Sequence, residues 1–349
     1  MNFKMPGVKY ALTLDIDAVA SRIAKTQKAD GDIPWSENDK TDPWDLVEAA
    51  MGLAVGGFID ESRAALNWLK DKQHSDGSWH ASYLNGVPED RTFDTNMSTY
   101  IAVGVWHHYL ITGDESFLRT IWPTVRAAIN FALALQTPRG EIYWARDPAG
   151  KTDPMALLTG SSSVYMSLKC ALAVADLLRE DMPEWRDALA RLGHVIAEQP
   201  HLFNVAKSRF SMDWFYPVLS GALTGEKAQQ RIDKHWKKFV VKGLGVRCVS
   251  DEPWITIAES CELVLALSAL GNGTIAKVIF NWIQDKCFED GSYWCGFTFP
   301  DIIVWPEEKI TWTNGVVLMA ADALYNLTPA GRLFDHRYWA TDFPHIFTG

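Results

Sequence analysis

The sequence predicts an all-α protein, an (α/α)6 barrel in which six helical hairpins close into a toroid. Three observations carry this expectation: a helix-stop motif that recurs along the chain, about twelve helical segments, and loops that alternate between tight and long. At 349 residues the chain exceeds the size at which one ordinary core stops growing, which calls for two domains or one large closed architecture. The closed form is expected, spanning residues 1–349 as one domain, with 326–349 as a C-terminal extension packed on it.

The motif reads Gln27-x3-Gly31, Gln73-x3-Gly77, Gln136-x3-Gly140 and Cys287-x3-Gly291, each followed within four residues by a Trp. A Gly that reaches positive φ ends a helix, and the Trp caps the turn. Between these stops, helical patterns fall at 14–28, 44–56, 60–73, 96–111, 116–136, 156–178, 183–197, 213–222, 225–238, 254–269, 273–287 and 312–325. Even members are apolar and small, as in Ala49-Ala50-Met51-Gly52-Leu53-Ala54, whereas odd members carry charge, as with Glu61, Arg63, Lys70 and Asp71. That division marks inner helices wrapped by outer ones. Even-to-odd connections are tight (Gly56-Gly57, Thr112-Gly113-Asp114), and the odd-to-even ones are long. Long ordered loops are usually functional, and here all of them gather at the N-terminal ends of the inner helices, where backbone N–H groups favour polar ligands.

Composition narrows the function. A net charge of −10 argues against nucleic acid, which requires a basic face. Without an apolar run of 18 residues or a signal-peptide core, no membrane span is expected and a cytoplasmic location is the default. Cys170, Cys248, Cys261, Cys287 and Cys295 are scattered and odd in number, so they read as thiols in a reducing compartment, with no disulfide framework, metal site or cofactor. The 16 Trp are too many for the core alone and point to rings lining a cleft.

Each long loop supplies polar and aromatic residues to one mouth. Asp42, Asp94, Asp213 and Asp251 precede helices, where an Asp accepts a backbone N–H as a cap. Capping does not explain the aromatic beside the acid in Trp44-Asp45, Asp213-Trp214, Asp251-Glu252-Pro253-Trp254 and Trp305-Pro306-Glu307. Aromatic faces against sugar rings, with carboxylates as acid and base, build a carbohydrate cleft. Glu48, Glu259 and Glu262 stand on apolar inner helices, where a carboxylate is costly unless paired or working. His107-His108 falls at the far end of its helix and reads as structural.

Two families come into view on particular residues. Gly113-Asp114-Glu115-Ser116-Phe117-Leu118 through Trp122-Pro123, with Gly140-Glu141-Ile142-Tyr143-Trp144 and Lys309-Ile310-Thr311-Trp312-Thr313, resembles the six-hairpin glycosidases, especially glucoamylase-like glycoside hydrolases. That resemblance implies a glutamate acid after the central Trp and a glutamate base before the last helix. Ala145 stands at the first position, so the expected acid is Asp147 or Asp45, with Glu307 (or Glu308) as base. Trp68-Leu69-x3-Gln73-x3-Gly77-Ser78-Trp79 resembles the QW repeat of prenyltransferase and terpene-cyclase toroids, but neither a D-x-D-D nor a DDxxD motif accompanies it. The expected function is metal-free glycoside hydrolysis of an oligosaccharide or glycoconjugate. Trp44, Trp144, Trp214, Trp254 and Trp312 would stack on sugar, Arg91, Arg146 and Arg247 would hold charge, and Asp94, Asp213, Asp251 and Glu259 would bind hydroxyls. The alternatives are an isoprenoid-handling protein and a non-catalytic glycan- or lipid-binding toroid.

Overall fold

A computed structural model describes residues 11–347. Six outer–inner pairs follow one another: α1 (Ile16–Thr26) and α2 (Pro43–Val55); α3 (Ile59–Lys72) and an inner helix broken at Tyr100 into α4 (Thr95–Thr99) and α5 (Ile101–Thr112); α6 (Glu115–Leu133) and α7 (Leu158–Leu178); α8 (Pro183–Glu198) and α9 (Ser211–Leu219); α10 (Gly225–Phe239) and α11 (Ile257–Ala269); α12 (Gly273–Ile283) and α13 (Thr311–Tyr325). The inner helices pack in a closed ring, α2 on α5, α5 on α7, then α9, α11 and α13, which returns to α2. The fold is the expected α/α toroid.

Burial explains the two compositions. Inner helices touch protein on every side, so α11 buries Ile257 through Leu267 without a break. Outer α10 buries only Ala228, Ile232 and Phe239 and leaves its charged face to water. The tightest inner contact joins α2 to α13, where a Cβ on Gly52 would stand 2.5 Å from the Gly315 Cα, so only Gly lets these backbones approach.

The recurrent turn welds neighbouring outer helices. The Gln73 side-chain amide donates to Gly77 O in its own turn (3.1 Å) and to Thr124 O of α6 (2.9 Å). Gln27 does the same toward Gly31 and Glu61 of α3, and Gln136 toward Gly140 and Ala188 of α8. Gly77 has φ +92°, and a Cβ there would lie 2.1 Å from Ala127 O, so this Gly serves both the turn and the contact. The fourth turn closes the ring: Gly291 faces Ala18 of α1, and Asp290 pairs with Arg22 at 2.5 Å. The repeat that resembles the QW motif is accounted for by this stitching of the ring.

The long loops hold short strands, a departure from the all-helical expectation. One sheet joins β1 (Lys40–Thr41), β2 (Tyr83–Leu84) and β3 (Val87–Pro88), and another joins β4 (Phe93–Asp94), β5 (Ala145–Arg146) and β6 (Thr152–Asp153). The third orders β7 (Val240–Val241), β8 (Gly245–Arg247), β9 (Trp254–Thr256), β10 (Gly296–Thr298) and β11 (Ile303–Val304) sequentially. All pairs are antiparallel, and several cross from one long loop to the next, as Asp94↔Ala145 and Phe297↔Ile255 do. Pairing between loops satisfies their backbone groups and holds the mouth in shape. Beyond α13, α14 (His336–Asp342) packs through buried Trp339 on the opposite end, with the Trp339 ring over Lys169 of α7 at 4.6 Å. Among the described residues, no helix is long and apolar enough to cross a membrane.

Candidate active site

Two inner helices each bring an acidic pair to the mouth: Asp45 and Glu48 of α2, Glu259 and Glu262 of α11. A spacing of three residues keeps each pair on one helix face. Asp45 and Glu259 lie in the first turn of their helices, nearer the mouth, and Glu48 and Glu262 lie one turn deeper.

The deep carboxylates are held by aromatic donors. Glu48 Oε1 accepts from Trp44 Nε1 (3.0 Å) and from the Tyr100 hydroxyl (3.5 Å), and Glu262 Oε1 accepts from the Tyr216 hydroxyl (2.8 Å). The Trp44 ring contacts both tyrosines, with centroids 5.4 Å from Tyr100 and 5.7 Å from Tyr216. Burial pushes Glu48 up to about 8, against the lowering effect of the Trp44 bond, and burial with Glu48 and Glu259 raises Glu262 well above the carboxylate range. Both therefore favour their protonated forms at neutral pH.

Asp45 is half-buried in the first turn of α2, next to Trp44. Burial first, then Asp42, Glu48 and Glu262, raise its carboxyl well above the ordinary value. Asp42 caps α2 by accepting Asp45 N at 2.9 Å and takes Trp35 Nε1 at 2.6 Å on its other oxygen. Glu259 is 8% exposed, and its Oε2 has no hydrogen-bond partner among the described residues. A buried carboxylate oxygen without a partner is an open acceptor. Cys248 and Cys295 flank it; burial and then the Glu259 charge push both thiols up.

On the α4 side, Trp44, Asp94, Asn96, Met97, Ile142, Trp144, Leu157 and Gly160 contribute to a cavity of about 150 Å³. Asp94 caps α4 through Met97 N (3.0 Å); burial raises its carboxyl to about 6 against the pull of the Met97 and Asn96 N–H groups. A wider cleft borders it, lined by Trp35, Lys40, Asp42, Arg91 and Met97. On the α11 side, Trp254 meets exposed Trp305 edge-on at 5.4 Å and donates its N–H to Trp305 O (2.8 Å).

The remaining expected site residues have contacts or exposure of their own. Asp147 is exposed in the β5–β6 turn, where its Oδ1 accepts Ala149 N and Lys151 N, each at 2.9 Å, which closes the turn. Glu307 is exposed in the loop between β11 and α13. Trp214, expected to stack on sugar, is 2% exposed and wedged behind α9, stacked on Phe239 at 5.3 Å. Arg146 pairs with Asp76 and lies over Phe131, and Asp251 forms a two-pronged pair with Arg209. Asp213 bonds Thr159 Oγ1 (2.7 Å) and so ties α9 to the start of α7. Arg247 donates to Ser250 O (2.9 Å) under Phe299, and Trp312 meets Trp35 edge-on at 6.3 Å. His107 and His108 are buried in α5, with His108 Nδ1 3.2 Å from Ser62 Oγ, a structural setting. Tyr216 is among the residues the sequence brings to the mouth, whereas Tyr100 and the two flanking thiols are not, because ring stacking and loop pairing create those neighbourhoods.

Comparison with known proteins gives a consistent picture. The chain is 50% identical over 331 residues to the MMP endo-(1,4)-3-O-methyl-alpha-D-mannosidase of Mycolicibacterium hassiacum, covering 95% of this chain and 92% of that protein. Among solved structures, the GH63 mannosylglycerate hydrolase of Thermus thermophilus in complex with glucose superposes with a TM-score of 0.69 at 12% identity, over 87% of this chain and 99% of that one. A second glycosidase, in its wild-type form, gives 0.67 at 16% identity over 90% of this chain and 96% of that one. No protein-family model matches the chain.

Proposed function

Because the chain belongs to the glycoside hydrolase family of the Mycolicibacterium hassiacum mannosidase, we propose that it hydrolyses (1→4)-linked α-D-mannoside chains bearing 3-O-methyl groups. The observation that carries the catalytic assignment is that two inner helices each put a carboxylate in their first turn at the mouth end, Asp45 and Glu259, and that both act on the Cys295 thiol.

Asp45 is the general acid. Burial, with the Asp42 carboxylate beside it, keeps the proton on at neutral pH, and a proton donor is what the departing glycosidic oxygen needs. Glu259 is the base, with its open Oε2 taking a proton from the attacking water. Asp45 and Glu259 stand on helices separated in the ring by α13, an arrangement that suits single-step inversion, in which a water lies between the base and the sugar. Glu48 and Glu262, raised chiefly by burial, lie one turn deeper than the pair and add no charge at neutral pH. Aromatic walls on both sides of Asp45, the Trp44–Trp144 cavity and the Trp254–Trp305 edge, suit a chain that crosses the site and is cut internally.

Replacing Asp45 by Asn or Glu259 by Gln is expected to lower kcat by roughly 10²–10⁴-fold on a methylated manno-oligosaccharide. Asp147→Asn and Glu307→Gln, both exposed, are expected to stay within a few-fold of the parent. The opposite pattern would return the chemistry to the loop carboxylates. The five free thiols support a reducing, cytoplasmic setting.

A further inference from the structure

We propose that the cavity between α2, α4 and the start of α7 is the subsite that selects the methyl ether of the substrate, with Met97, Ile142 and Leu157 forming the wall that takes the O-methyl group. This inference rests on the reading of the enzyme as a 3-O-methylmannoside hydrolase.

The cavity combines two features seldom found together. Its wall is a thioether and two aliphatic side chains beside the Trp44 and Trp144 rings, and at about 150 Å³ it is of the size that admits one six-membered ring. It also contains residues with unspent polar groups. Asn96 is 5% exposed and its Oδ1 is buried without a partner among the described residues; the Trp144 indole N–H is in the same state. Native interiors rarely leave such atoms unpaired, so a donor and an acceptor unmet in one cavity point to a ligand that meets them. Asp94 adds a carboxylate on the same side.

A sugar ring supplies hydroxyls for Asn96, Trp144 and Asp94. A methyl ether is different from a hydroxyl in one decisive way: it has no hydrogen to donate and presents an apolar cap. Against Met97, Ile142 and Leu157 the methyl gains apolar contact, whereas a free hydroxyl would lose its water and find no partner. A methyl-sized difference in such a pocket discriminates by roughly 10- to 200-fold.

Gly160, in the first turn of α7, offers a clean probe. A Cβ there would lie 3.6 Å from Asn96 Cβ and 3.7 Å from Leu157 Cβ, ordinary contact, so Gly160→Ala folds while taking up cavity space. Leu157→Asn is the second variant, since Leu157 is only half-buried. Two α-(1→4)-mannotetraosides, one 3-O-methylated throughout and one unmethylated, are compared by kcat/KM and by calorimetric binding. The wild type is expected to favour the methylated form at least about tenfold, and both variants to bring that ratio toward one. Equal treatment of the two tetraosides by the wild type, or a ratio unmoved in both folded variants, overturns the assignment. If the wild type cleaves neither compound, the hydrolase reading falls, while the binding ratio still decides the pocket.

Discussion

Replacing Glu48 by Gln should make the protein's thermal stability less sensitive to pH, and the structure sets the size of the effect. Glu48 is 3% exposed on α2 and its carboxyl is pushed up to about 8 from 4.5, chiefly by burial. The folded chain therefore holds a proton that the unfolded chain releases between those two values. Stability falls as pH rises through that window and is flat below it, where both states are protonated. At about 1.4 kcal/mol per tenfold change in proton activity, the full window is worth up to about 5 kcal/mol. Unfolding entropy of roughly 2 cal/mol/K per residue gives a chain of this length about 0.7 kcal/mol/K, so the span equals up to about 7 °C in Tm. Gln keeps an oxygen for the Trp44 and Tyr100 donors and does not titrate. Asp45 and Glu262 remain in both proteins, and removing one neighbouring charge eases them, which moves the comparison the same way. Melting curves at pH 5 and pH 8.5 are the assay: the advantage of the variant over the wild type should grow by several degrees at the higher pH. An advantage of equal size at both pH values would mean that Glu48 is ionised throughout and the neutral-floor account is wrong.

Other consequences can be checked alongside the catalytic and methyl-ether tests above. Gly77→Ala and Gly57→Ala share a positive φ, but only the first would drive a Cβ to 2.1 Å from a backbone oxygen, whereas Gly57 faces open space. Calorimetry should show Gly77→Ala costing about 1–3 kcal/mol more, the overpacking share of the damage; equal losses would show that the turn does not bear on α6. Trp254→Ala should raise KM on long chains by roughly three- to tenfold, the worth of one aromatic face, while sparing the shortest cleaved substrates. A uniform effect across chain lengths would place Trp254 outside the path of the chain. Anomer-resolved NMR of the first product should show inversion at the cleaved carbon, and retention would require one of the two carboxylates to act as nucleophile.

The fold was legible because its signals are periodic. A helix surrounded by protein must be apolar all round, as α11 is, and one facing water must not be, as α10 shows; the twelve segments followed from that contrast. The short strands were not legible, since β5 and β6 are two residues each and exist only because other loops lie beside them. The same divide runs through the site. Glu48, Glu259 and Glu262 stood out because acids on apolar inner helices violate the local pattern, and Asp45 because an aromatic ring stands beside it. Asp147 and Glu307 look equivalent by sequence, yet the direction of a loop side chain is set by tertiary pairing: Asp147 turns back on Ala149 and Lys151. Trp214 sits beside an acid in sequence, but helix geometry points the two apart, Asp213 to Thr159 and Trp214 to the Arg231 carbonyl.

The turn at Cys287–Gly291 meets α1, so the last hairpin completes a contact that the first one opened. The Gln27, Gln73 and Gln136 junctions each join outer helices that follow one another in the chain, so both partners of each are present once the next outer helix has been made. The face of α1 that receives Asp290 has no such neighbour until more than 260 further residues have been made. Until the fourth turn reaches α1 the ring is thus an open arc with two unmatched flanks, and the acids of α2 and α11 are not yet held in one closed circle.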